Sequence, residues 1–191
     1  MERAMWEAQW MPAVVVALAM AAALAACGGG GTATSDSTPE VAPLSTQAAL
    51  GEKIFADASL SASGRQSCAS CHDPAHGHSP ANALAAQPGG PNGDLQGTRK
   101  TPGIRYLAAN TPFFFAADGT PTGGFFWDGR GRNFAEQATE PFINPFEMAN
   151  VDKAAVIAKV AAAPYAGEFK RLFGADIFTD VEGAYLRLSL A

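Results

Sequence analysis

An all-α domain with long irregular loops is predicted from three observations. Apolar residues recur at helical spacing after Asp152, no stretch sustains the alternation of a strand, and Cys68-Ala69-Ser70-Cys71-His72 has the spacing of one helical turn. The elements follow in order. Ser45-Thr46 caps a helix with Leu50, Ile54 and Phe55 on its apolar positions. Ser63-Gly64 turns the chain into a short helical turn over Ser67 to His72, and Pro74 ends it by disfavouring helix at the residue before. Ala75 to Gly103 is punctuated by proline and glycine and reads as one long loop, with His76 and His78 as loop histidines.

Between Thr111 and Trp127 six aromatic residues surround a glycine-rich turn, a pattern of core or pocket wall. Asn133 with Glu136 forms a capping box for a short helix carrying Phe134, Gln137 and Ala138, expected to end before Pro141. Asp152 caps a helix with Val156, Ile157 and Val160 on one face. Pro164 starts another, burying Phe169, Leu172 and Phe173 and stopped by Gly174. A last helical pattern runs from Asp180 with Leu186 and Leu190 on its apolar side, and reaches Ala191 without a stop signal.

Cys68-Ala69-Ser70-Cys71-His72 reads C-x-x-C-H, the attachment pattern of a c-type haem. Two thiols on one turn can each add to a vinyl group of the same porphyrin, and the adjacent imidazole of His72 then ligates the iron. A redox disulfide usually accompanies a βαβ pattern, which is lacking around these residues. A zinc site would have to recruit His76 or His78, which follow too closely for a finger loop. A structural disulfide gives no reason for His72.

Residues 12–26 are almost wholly apolar and end in Leu24-Ala25-Ala26-Cys27, too short a run for a membrane span but suited to a signal peptide. Leu-Ala-Ala-Cys resembles a bacterial lipobox, although Glu2 and Glu7 offset Arg3 before it. The expectation is a lipoprotein-type leader over 1–27, with plain export and cleavage near Ala26 as the alternative. Residues 28–43 are a Gly/Ser/Thr/Pro tether, and 44–191 form one domain. All three cysteines are then assigned, Cys27 to lipid and the pair to haem. The formal charge of −5 and the lack of a basic run argue against nucleic acid as a partner.

Four further blocks accompany the haem motif: Leu50-Gly51-Glu52-Lys53-Ile54-Phe55, Phe126-Trp127-Asp128-Gly129-Arg130, Glu136-Gln137-Ala138 and Asn144-Pro145-Phe146-Glu147-Met148. With it they resemble the amino-terminal haem domain of the bacterial di-haem cytochrome c peroxidases, which include the enzymes that mature methylamine dehydrogenase. The resemblance implies a cytochrome c-like fold for 44–191 and one haem c here, held by Cys68, Cys71 and His72. It matches Trp127 to an inter-haem electron relay, and Glu147 and Gln137 to polar residues on the distal side of the peroxidatic haem. Hydrogen peroxide is the implied substrate and a cytochrome or cupredoxin the implied donor. A carboxylate of raised pKa suits the proton transfers of peroxide cleavage, so Glu147 is the expected acid–base and Gln137 the group that orients peroxide. Arg130 and Arg132 are available to haem propionates. Lys100 precedes Thr101-Pro102 where the family places a calcium-linked asparagine, so calcium is not carried over. The family's second C-x-x-C-H is not in this sequence, and the expectation is a chain cut before a second haem domain.

Two other functions compete. A single-haem electron carrier needs a strong sixth ligand, and Met148, the one methionine after the haem motif, adjoins Glu147 in a block that resembles an open distal site. An inactive fragment of a longer peroxidase is the third reading. The leader places the domain in the periplasm or cell envelope. Cys27→Ser is expected to release the protein from the membrane fraction, and a wild-type protein that already fractionates as soluble would rule the anchor out.

Overall fold

Ser45 opens the first helix, α1 (Thr46–Ala56), its hydroxyl accepting from the amide of Ala48 at 3.1 Å. The computed structural model describes residues 43–191. The leader and the tether up to residue 42, Cys27 included, lie outside the described residues. α1 buries Leu50 and Ile54, and Asp57 then caps a 3₁₀ turn, Ala58–Leu60. The short helix α2 (Cys68–Cys71) follows, started by Ser67, whose amide donates to the Ser70 hydroxyl at 3.0 Å.

The long loop is largely irregular but contains one antiparallel ladder, β1 (Pro88–Gly89) with β2 (Leu95–Gln96). A second, β3 (Phe114–Phe115) with β4 (Pro121–Thr122), shapes the aromatic stretch. Strands of two residues cannot carry an alternating pattern, which is why the sequence shows none.

The helix α3 (Phe134–Ile143) departs from expectation, because it runs through Pro141 instead of ending before it. Proline has no N–H for the carbonyl of Gln137, a loss that normally breaks a helix. Here the next turn still closes, through the amide of Asn144 on the carbonyl of Glu140 at 3.1 Å, and Phe142 anchors it in the core. The capping box is half made: Asn133 accepts from the amide of Glu136 at 2.9 Å, but the Glu136 carboxylate reaches Arg132 instead.

α4 (Lys153–Ala162) is capped by Asp152 and buries Val156, Ile157 and Val160, as its spacing predicts. α5 (Ala166–Phe173) begins two residues after Pro164, buries Phe169 completely and ends at Gly174. α6 (Val181–Leu188) stops short of Ala191. Its buried face is Ala184, Tyr185 and Leu188, while Leu186, and Leu190 just past the helix, are exposed. The regular structure of the described residues is thus mostly helical, and α1, α3, α4, α5 and α6 share one hydrophobic core.

One buried side chain ties this core to the haem-motif segment. Asn150 donates to the carbonyls of Leu60 and Phe142, each at 2.8 Å, and accepts from Lys159 at 2.8 Å. Lys159 also donates to the carbonyl of Ser61. Asn150→Ala leaves the buried carbonyl of Leu60 without a partner, while Phe142 keeps the backbone amide of residue 150 and Lys159 keeps the carbonyl of Ser61, so it is expected to lower the unfolding free energy by about 1–3 kcal/mol. The measurement is the urea midpoint at unchanged slope. An unmoved midpoint would show that these bonds contribute nothing net.

Candidate functional site

The single turn of α2 sets Cys68 and Cys71 on the same side as free thiols. Burial pushes the Cys68 thiol up to about 11, with negative charge at Cys71 and Glu147 adding to it. Burial also raises Cys71, opposed by the Gln66 amide at 3.8 Å from its sulfur. Both are therefore held as neutral thiols.

The ring of His72 follows on the same turn. Its Nδ1 lies 3.3 Å from the carbonyl of His78, a contact that assigns the proton to Nδ1 and leaves Nε2 free as a metal ligand. Burial lowers the proton affinity of this imidazole, against the carbonyls of His78 and Pro102, which favour protonation. His78 is more than a loop histidine. Its backbone is left-handed at φ 57°, its carbonyl also receives the amide of Ile104 at 3.3 Å, and its ring accepts from Arg105 Nε at 3.2 Å. His76 pairs with Asp73 at 2.9 Å and stays exposed.

Trp127 sits at the tip of a tight loop closed by the bridge between Phe125 and Gly131. Gly129 at φ 71° makes that turn, in a conformation that other residues rarely adopt. Trp127 is 63% exposed, so it is not a core residue. Its indole N–H is nevertheless fixed, donating to the carbonyl of Lys100 at 2.6 Å. Arg130 lies 3.8 Å over the Phe126 ring and bonds Asp128 at 3.0 Å and Glu140 at 3.0 Å. Arg132 pairs with Glu136 at 3.2 Å. Both guanidiniums offered as propionate partners are thus engaged with carboxylates of this chain.

Gln137, Pro141 and Asn144 recur at i, i+4 and i+7 along α3 and its C-cap, so one face of that element lines the site. Glu147 follows in a loop held from three directions. Gly90 donates its amide to the Glu147 carbonyl at 2.7 Å, Ala62 to the Met148 carbonyl at 2.7 Å, and the Met148 amide bonds the Pro141 carbonyl at 3.1 Å. A Cβ on Gly89 would fall on the carbonyl of Phe146 and the Cα of Glu147, so only glycine lets the β1 strand approach so closely. Burial raises the Glu147 pKa above the usual carboxylate range; the charge of Arg130 opposes this and that of Glu140 adds to it.

The side chains expected at the site meet at one cavity of about 450 Å³. Cys68, Cys71, His72, Trp127, Gln137 and Glu147 line it, together with Phe126, Arg130, Asn144, Phe146 and Met148. Its volume lies in the range of about 300–1,000 Å³ usual for ligand and cofactor sites. Two free thiols and an imidazole at one wall, facing aromatic side chains, fit a covalently attached haem. Met148 borders the cavity but is almost fully buried in the hydrophobic core. Three contributors are not evident from the sequence: the His78 carbonyl, the amide of Gln66 beside Cys71, and Asn144. Only Asn144 carries a legible signal, as an asparagine before proline is a turn former.

A family model described as di-haem cytochrome c peroxidase matches residues 45–190. The methylamine utilization protein MauG of Paracoccus denitrificans (strain Pd 1222) is 42% identical over 142 residues, 72% of this chain and 37% of that protein. The cytochrome c551 peroxidase of Nitrosomonas europaea is 32% identical over 142 residues, 74% of this chain and 37% of its own length. Among solved structures, the diheme peroxidase BthA from Burkholderia thailandensis superposes with a TM-score of 0.71 at 31% identity, covering 78% of this chain and 37% of that one. The chain therefore spans a little over a third of these relatives. With a family model over residues 45–190 and with these relatives, this chain belongs to the di-haem cytochrome c peroxidase family.

Proposed function

We propose that residues 44–191 are a cytochrome c-like peroxidatic haem domain that reduces hydrogen peroxide with electrons from a cytochrome or cupredoxin donor. The observation that carries this is the convergence of Cys68, Cys71, His72, Trp127, Gln137 and Glu147 on a single cavity. Cys68 and Cys71 would hold the haem through thioethers to its two vinyl groups, and Nε2 of His72 would be the ligand to its iron. Bound, the haem supplies an iron that takes peroxide and accepts its oxidising equivalents.

The remaining work falls to side chains of this chain. Peroxide cleavage requires a proton taken from the inner oxygen and returned to the outer one, which leaves as water. Glu147 does this from a buried position where its proton affinity is raised toward the working pH. Gln137, on the same cavity wall, offers an amide to hold peroxide in line. Trp127 carries electrons between this haem and an outside source, its indole fixed by Lys100. Export and lipidation at Cys27 place the domain on the periplasmic side of a membrane.

Two measurements test this reading. Wild-type protein should keep a haem-staining band on denaturing electrophoresis, and a variant with both Cys68→Ser and Cys71→Ser should lose it. Glu147→Gln should keep that band but react with peroxide about 10²–10⁴-fold more slowly. Because the carboxylate form takes the proton, the wild-type rate should fall as pH drops through the raised pKa of Glu147, and this acid limb should vanish in the variant. A Glu147→Gln protein with wild-type rates would exclude Glu147 as the acid–base.

A further inference from the structure

Asn144 uses both ends of its side chain. Oδ1 accepts from the amide of Phe146 at 3.0 Å, across Pro145. That fixes which end is the NH₂, because flipping the amide would set it against an N–H. Nδ2 then donates to Oε1 of Glu147 at 3.1 Å, and among the described residues it is the one side-chain donor to that carboxylate. The backbone of Asn144 belongs to the same assembly, with its carbonyl accepting from the amides of Glu147 and Ala149, each at 3.0 Å.

We propose that Asn144 is a positioning residue that pins Oε1 of Glu147, so that Oε2 is the oxygen presented to the peroxide. The proposal rests on the acid–base role of Glu147 and adds a second residue through which that role is set. A carboxylate on a loop can rotate about its side-chain torsions, and a rotation presents the wrong lone pair to the proton. One amide bond to Oε1 removes that freedom. It also favours the charged form that must take the proton. The other charges and thiols facing Glu147 are Arg130 and Glu140 from the tryptophan loop and α3, and Cys68 and Cys71 from α2. All of these are left in place by changes at Asn144.

Two variants separate positioning from fold. Asn144→Asp keeps the acceptor for the Phe146 amide but turns an acceptor toward Oε1. Asn144→Ser keeps a turn-forming oxygen but is too short to reach Glu147. Each is compared, haem-loaded, with wild type and Glu147→Gln. The readout is the pH dependence of cyanide binding to the ferric protein, alongside peroxide turnover. Cyanide arrives as HCN and must lose its proton on binding, so the measurement reports the base without turnover.

Asn144→Asp should move the acid limb to higher pH by roughly one unit or more, since two adjacent carboxyl groups resist double ionisation. Asn144→Ser should move it in the same direction by less, with slower binding at every pH. A purely structural Asn144 predicts the opposite order, with the isosteric Asp closest to wild type. Profiles of both Asn144 variants that superpose on wild type, while Glu147→Gln loses the limb, overturn the positioning role and leave Glu147 standing. A limb unchanged in Glu147→Gln overturns both.

Discussion

The buried carboxamide of Asn150 is the contact on which the site depends. It links the segment leading into α2 through Leu60 and the helix bearing Gln137 through Phe142 to the core helix α4 through Lys159. Each bond is worth only about 1 kcal/mol net, but an orphaned buried partner costs about 1–3 kcal/mol. Against a domain stability of about 5–15 kcal/mol, losing several at once is severe. The geometric effect is larger than the energetic one. The thiols of α2 and the carboxyl of Glu147 are 76 to 79 positions apart in sequence, and Asn150 holds both ends of that separation to one frame.

A second tie acts on the opposite side of Asp57. This carboxylate caps the 3₁₀ turn through the amide of Ser59 at 2.9 Å and accepts from the Tyr165 hydroxyl at 2.6 Å. Burial would raise its pKa, but the hydrogen bonds from Ser59 and Tyr165, with the charge of Lys159, win and lower it. The α4–α5 junction is thereby joined to the residues that follow α1. Together with Asn150 this makes a polar seam whose members have their partners in place.

Much of this architecture is legible in the amino-acid sequence. The caps at Ser45, Asn133 and Asp152 and the apolar faces of α1 and α4 follow from spacing alone, because capping and amphipathicity are local. The C-x-x-C-H turn is legible for the same reason. Two kinds of feature are not. The run of α3 through Pro141 and the packing of Tyr185 against Phe142 depend on tertiary packing, which a period cannot report. The His78 carbonyl, the close approach of Gly89 and the engagement of Arg130 by Glu140 are backbone or long-range contacts. Glu147, Gln137 and Trp127 stand out by resemblance, and residue chemistry alone would leave each as an ordinary surface or core group.

What decides the chemistry of Glu147 is which of three effects on its proton wins. Arg130 is positive and faces it, and an unencumbered guanidinium there would hold the carboxyl in its charged form. Arg130 is held between Asp128 and Glu140, and the charge of Glu140 acts on Glu147 in the opposite direction. Burial in a cavity with aromatic walls is then left as the largest influence, and it raises the pKa. The ion pairs around Arg130 are partly exposed, and as stabilising contacts they contribute about 0–1 kcal/mol each. Their larger effect is to fix Arg130 beside Glu140, so that Glu147 feels two opposed charges and burial remains the largest influence on its proton.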